Sequence, residues 1–291
     1  MNRRAFVVRS GCTVIGAPIY SRIASILGHI TVEPATQVFP WERGIAVESR
    51  GEKGMAVFLW IYEWTMFGAV NSGEHTLGAF EPFQRSANPA QTEATAVDDE
   101  FRMTLKASET GADLFLEVTN KSDHDWPDLA SIIPCLSPGL TGGNLNERHG
   151  VAEGLLPPRN PAFANEKTFF LGPAGLELLH GREIHFNTQF RPQLDAASPN
   201  GGFSWSQKWP TAKPDAAGGI IMRESTDGVW VAGIAWDAFL SVQAHNPWRC
   251  MHLAVHVGPL KRNESKKIRG KLYLLKGTKE DCLRLYRADF P

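Results

Sequence analysis

Residues 251–257 constrain the fold more than any other stretch of this chain. Met251, Leu253, Val255 and Val257 alternate there with His252, Ala254 and His256. Side chains of a strand point alternately to its two faces. One face is therefore wholly apolar and destined for a core, while the other carries Cys250, His252 and His256 in a row. Residues 229–236 are apolar on both faces and read as a central strand covered on both sides. After residue 257, the polar turn 261–265 leads into a further strand over about residues 268–275. Short polar turns with no helix between them favour antiparallel pairing of successive strands.

The same alternation recurs upstream. In residues 183–187, Ile184 and Phe186 point one way, inward, and Glu183, His185 and Asn187 point the other. Residues 101–107 and 113–119 alternate as well, with Leu114, Leu116 and Val118 opposed to Phe115, Glu117 and Thr119. Residues 45–49 form a short strand, and residues 55–62 a strong one that runs into Glu63 and Trp64. Residues 132–136 read as a buried edge segment, because Pro134 lacks the N–H that a central strand donates. Residues 219–224 form a strand with Arg223 opposite Ile220 and Met222. Residues 137–167 and 191–217, rich in Gly, Pro and polar residues, are irregular connections. Thr278 opens a short helix through a capping-box pattern, with Asp281 in place of the usual Glu or Gln and Cys282, Leu285, Tyr286 and Phe290 inward. The 27 Gly and 19 Pro among 291 residues suit a loop-rich β protein. The expected fold is all-β: a large antiparallel β-sandwich with a short C-terminal helix, formed by residues 29–291 as a single domain after a separate segment, 1–28.

Charge narrows the partners. With 30 basic and 31 acidic residues, nothing favours nucleic acid or an anionic membrane. No apolar run reaches transmembrane length. Internal repeats, Gly-x-Gly-x-x-Gly, a P-loop and Gly-x-Ser-x-Gly are absent from the sequence. The cysteines, Cys12, Cys135, Cys250 and Cys282, show no C-x-x-C spacing, and their pairing is left open. Arg3 and Arg4 followed by Phe6 and an apolar segment resemble a twin-arginine export signal. That resemblance implies bacterial export to the periplasm or beyond; the alternative is a basic N-terminus on a cytoplasmic protein.

Candidate chemistry gathers on the polar faces, which either line a cleft or form a solvated outer surface. His252 and His256, four apart on a strand, lie roughly 13 Å from each other and do not share a metal ion. Cys250 and His252 converge more easily, but a metal site needs three or four ligands and this spacing supplies two. Neither a metal nor another cofactor is expected. Glu74 and His75 follow Ser72 and Gly73 in a loop near Trp60, Tyr62 and Trp64, and are a general acid/base couple or a surface pair. Arg223 suits carboxylate recognition or is a surface charge. His245 and Asn246 lie at a turn between strands. Nine Trp serve either a core or sugar stacking.

The strand series 101–119 with its turn at Val118, Thr119 and Asn120, the His-bearing strands 183–187 and 251–257, and the chain length resemble the galactose-mutarotase-like supersandwich family, across most of residues 40–276. Those proteins bind sugars on a concave sheet. The resemblance implies a carbohydrate ligand, a mono- or oligosaccharide, and metal-free acid–base chemistry of a mutarotase, epimerase or lyase kind. One His protonates the ring oxygen while a Glu takes the anomeric proton. It assigns the acid to His185 or His252 and the base to Glu183 or Glu74, with His75 in the same cleft. Glu74, Arg223, His245, Asn246, His256, Trp64 and Asn187 would bind the substrate. The chain departs from the family in one respect: the catalytic Glu there lies on a late strand, whereas only Glu264, Glu280, Asp281 and Asp289 follow His252 here. The alternatives are a non-catalytic carbohydrate-binding or structural sandwich, and a cupin-like metal enzyme with three His or acid ligands.

Overall fold

The computed structural model describes residues 33–41, 44–66, 76–77, 84–138, 161–196, 210–244 and 250–291. The elements named here all belong to one compact unit, Pro34–Pro291. They form two antiparallel sheets stacked as a β-sandwich. The first contains β1 (Thr36–Trp41), β2 (Gly44–Ser49), β3 (Ala56–Met66), β9 (Ser131–Pro138), β16 (Met251–His256), β15 (Phe239–Gln243) and β12 (Ile184–Phe186) in that spatial order, with β4 (Thr76–Leu77) attached to β3. The second runs β11 (Gly175–Leu178), β10 (Thr168–Gly172), β13 (Ile220–Glu224), β14 (Trp230–Trp236), β17 (Ser265–Lys276), β8 (Gly111–Thr119), β7 (Phe101–Ser108), β6 (Glu93–Val97) and β5 (Gln84–Ala87).

The alternation read from the sequence decides what fills the space between the sheets. Met251, Leu253 and Val255 meet Leu114, Leu116, Ile234 and Leu272 in one core. The apolar faces come from strands far apart in the chain. Each fully buried Leu contributes roughly 1.5–3 kcal/mol relative to exposure.

Pairing of neighbours in the chain departs from the expectation. β14 and β17 pair with each other, but β15 and β16 belong to the opposite sheet. The chain arches between sheets at Asp237 instead of turning back as a hairpin. The Asp237 N–H donates to the Arg269 carbonyl (3.0 Å), and its carboxylate accepts the Arg269 N–H. Crossing sets the apolar faces of β14 and β16 against each other across the core; a hairpin would have left them side by side.

β9 is a second correction. It is a central strand, flanked by β3 and β16, and not an edge. Pro134 is accommodated because both ladders are interrupted beside it. Against β16 the register is constant but the pairs between Cys135 and Ile132 are missing, and against β3 the register shifts between Trp60 and Trp64. A bulge in the neighbouring strand answers the missing N–H.

The outer face of the second sheet is closed by α2 (Lys279–Asp289). Thr278 accepts from the Asp281 N–H (3.3 Å), and the Asp281 carboxylate accepts from the Thr278 N–H (3.1 Å), completing the capping box. Cys282, Leu285, Tyr286 and Phe290 pack on Ile220, Met222, Val231 and Tyr273. The outer face of the first sheet is partly closed by a 3-10 turn (Thr188–Phe190) and α1 (Arg191–Ala196). Phe190 and Leu194 there cover Ile133, Ile184, Phe186 and Ala254.

Candidate functional site

The site lies on the outer face of the first sheet, where β3, β9 and β16 run side by side. Trp60 stands opposite Cys135, and Cys135 opposite His252, so all three share one face. Cys250, two residues before His252, shares it too. Ligand atoms of Cys135, Cys250 and His252 all lie within 4.8 Å of one another, and all three residues are buried. Phe58, Trp60 and the partly buried Trp41 pack around the two thiols. The Ser137 hydroxyl lies 3.4 Å from the Cys250 sulfur.

The fourth member is Glu63, which sequence reasoning missed. Strict alternation from Trp60 sends residue 63 to the core side, with Ile61. The β3 bulge between Trp60 and Trp64 breaks that parity, and Glu63 Oε2 lies 2.8 Å from His252 Nε2. The signal in the sequence was Pro134: a proline in a buried central strand demands an irregularity in the strand beside it. Glu63 retains 17 % of its side-chain exposure and His252 only 3 %. The carboxylate is thus the half of the couple that meets solvent.

Electrostatics tie the four together. Burial lowers the His252 pKa, but the hydrogen bond and charge of Glu63, with the charge of Cys250, outweigh it and leave the imidazole raised above 6.5. The Cys250 thiol is pulled down to about 7, chiefly by its hydrogen bond with Cys135; burial opposes this and the charge of His252 assists. Cys135 is pushed up by the same hydrogen bond and by burial. The pair gives up its first proton at Cys250. The arrangement favours a proton on His252, behind the more exposed carboxylate of Glu63.

The residues singled out from sequence do not all converge here. His185 lies on the opposite face of the first sheet. Its ring stacks on Phe170 of the second sheet at 4.1 Å, and its Nδ1 lies 2.6 Å from the Pro214 carbonyl. Glu183 Oε1 is 3.4 Å from its Nε2. The inward and outward faces of residues 183–187 are thus reversed, because Ile184 and Phe186 are taken by the cover of α1 and its 3-10 turn. Arg223 is neither a surface charge nor near His252. It is 1 % exposed, inside the sandwich, and its Nε donates to Thr168 Oγ1 at 2.8 Å. Asn187 caps the 3-10 turn, accepting from the Gln189 N–H and donating to the Phe239 carbonyl, both at 2.9 Å. His256 shares the face of His252 but is capped by Phe190, with its Nε2 2.6 Å from the Asp128 carbonyl. Trp126, Trp230 and Trp236 are core residues. Glu264, Glu280, Asp281 and Asp289 serve a turn, an ion pair, the helix cap and Tyr273. Glu74, His75, His245, Asn246, residues 1–28, most of the connection 137–167 and the side chain of Trp64 lie outside the described residues. Their described neighbours do flank the site: Thr76 and Leu77 pair with Thr65 and Trp64, and Gln243 pairs with His252.

Comparison with known proteins adds the following. No protein-family model matches the chain, and no curated protein matches it in sequence. Among solved structures, a protein of Escherichia coli K12 named as a candidate aldose 1-epimerase superposes with a TM-score of 0.38 and 10% identity, over 83% of this chain and 99% of that one. The protein HI1317 superposes with a TM-score of 0.37 and 9% identity, over 82% and 92%. These are resemblances of an antiparallel sandwich at low superposition.

Proposed function

We propose that this chain is a carbohydrate-active protein that binds a sugar over the outer face of the first sheet, with Glu63 as the base and His252 as the residue that positions it. The carrying observation is the Glu63–His252 couple: a 2.8 Å contact with the carboxylate toward solvent and the imidazole buried behind it. A base of this kind takes the proton of an anomeric hydroxyl while a second group protonates the ring oxygen. His75, read from the sequence as part of the same acid–base set, is the proposed donor. The arrangement departs from the mutarotase pattern in taking its Glu from an early strand. We also propose export through the Arg3–Arg4 signal; a reporter fused to residues 1–28 should leave the bacterial cytoplasm, and Arg3→Lys with Arg4→Lys should retain it.

The test is a thermal-shift screen of the chain against neutral sugars, uronic acids and oligosaccharides, followed by an NMR assay of anomer exchange on any hit. A ligand at a hundred times its Kd stabilises by about 2.7 kcal/mol. The expected result is a hit whose stabilisation survives in Glu63→Gln while exchange falls at least 100-fold. A hit without exchange in the wild type makes the protein a binding module. Stabilisation by no sugar would sink the reading.

A further inference from the structure

The residues around His252 do more than hold a proton. Cys135 and Cys250 are two buried thiols that acid–base work on a sugar does not require, and both sulfurs lie within 4.8 Å of a ring nitrogen of His252. We propose that Cys135, Cys250 and His252 form a binding site for a zinc ion, with Glu63 as the carboxylate that orients the imidazole ligand.

Three observations carry this. The first is convergence. The three ligand atoms lie within 4.8 Å of one another; bonds of about 2.3 Å to sulfur and 2.0–2.1 Å to nitrogen put tetrahedral ligands about 3.3–3.8 Å apart, so closing on the ion takes about an ångström. The second is the donor set. Two thiolates and one imidazole select zinc or a similar soft-to-borderline ion over calcium and magnesium, which take oxygen. The two thiolates neutralise the dication, so the occupied site carries no net charge into the buried face. Binding releases to solvent the protons still held by the two thiols and by the ligating ring nitrogen of His252, and the ion forms two Zn–S bonds and one Zn–N bond. The third is support. All three ligands stand on or beside central strands, β9 and β16, which fixes their spacing as a loop would not. Glu63 Oε2 already holds His252 Nε2, the carboxylate–histidine arrangement that fixes the ring of a zinc ligand and leaves its other nitrogen to the metal.

Among the described residues three ligands converge. The fourth position is then available to water or a substrate oxygen, as in catalytic zinc sites. The sequence shows only the Cys250–His252 half of this site, since Cys135 arrives from another strand. The inference rests on this geometry and stands whether or not the face binds a sugar.

The experiment uses the full chain, reduced and stripped with a chelator, then titrated with Zn²⁺ against a chromophoric competitor, with metal content measured by mass spectrometry. The expected result is one zinc per chain. Co²⁺ in its place should give thiolate charge-transfer and tetrahedral d–d absorption. Cys135→Ser, Cys250→Ser and His252→Gln should each lose the tight site. Glu63→Gln should weaken it about 10–100-fold. Cys282→Ser, on the far side of the molecule under α2, should leave it unchanged. Circular dichroism of each variant separates lost ligation from lost folding, and the cobalt spectrum of the wild type decides the case if the variants do not fold. No stoichiometric uptake by the reduced wild type, or a cobalt spectrum without thiolate bands, overturns the proposal. So does a chain that takes up no metal and forms a Cys135–Cys250 disulfide instead. Zinc uptake without any sugar hit would reject the sugar reading and leave this one standing.

Discussion

His256 shows how far a single residue's neighbourhood departs from its sequence pattern. It has the same strand parity as His252, yet its environment is the opposite. Burial, with the Lys266 ammonium adding, lowers its pKa below 6.5, against the Asp128 carbonyl and carboxylate; Phe190 closes over the ring. The folded chain therefore resists protonating His256. Above pH 6.5 the group contributes fully, and stability is lost as pH falls through 6.5 toward the depressed folded value. Urea unfolding at pH 7.5 and pH 5.0 should show the wild type losing more stability on acidification than His256→Gln, whose amide can still donate to the Asp128 carbonyl. Equal losses in the two proteins would assign the acid sensitivity elsewhere. The alternation in residues 251–257 thus revealed which residues share a face. It did not reveal that one His on that face meets a carboxylate and two thiols while the other meets a phenyl ring and a carbonyl.

Secondary-structure elements were legible where the pattern was long and local. The capping box at Thr278 needs only residues three apart, and it is present as read. Thr278→Ala should lower stability by about 1 kcal/mol, measured by urea unfolding, and leave zinc uptake and sugar binding unchanged. A loss several times larger would mean that α2 does more than cover the sheet. β7 and β8 follow their alternation, with Phe115 on the exposed side at 44%. β9 and β12 do not follow theirs. In β9 the proline rule pointed to an edge, but a neighbouring strand can absorb the missing donor by bulging. In β12 three residues are too few to fix a face, and the cover supplied by Phe190 and Leu194 chose it. Glu63 escaped for the same reason as β9 was misplaced: one irregularity, at Pro134 and residues 60–64, reset both.

For the whole molecule, the core joins both sheets without a boundary. Leu253 of the first sheet and Leu272 of the second lie in the same cluster and are fully buried. Leu253→Ala and Leu272→Ala should each cost about 2–5 kcal/mol, and each should shift one shared transition. Fluorescence and far-UV circular dichroism would check this in the same urea series. Separate transitions for the two sheets would contradict a single cooperative sandwich. The class of fold was legible in the chain alone: alternating apolar faces, dense turns and one capped helix leave an antiparallel β-sandwich, because periodicity and turn chemistry act over a few residues. Which strands are neighbours, which faces are covered and which distant side chains meet emerged from the packing of the folded sheets. Glu63, Cys135, Cys250 and His252 come from three strands, brought together by register and by a bulge that answers Pro134. Register and crossing are set by how whole faces fill the space between two sheets, and that information is not contained in any one strand.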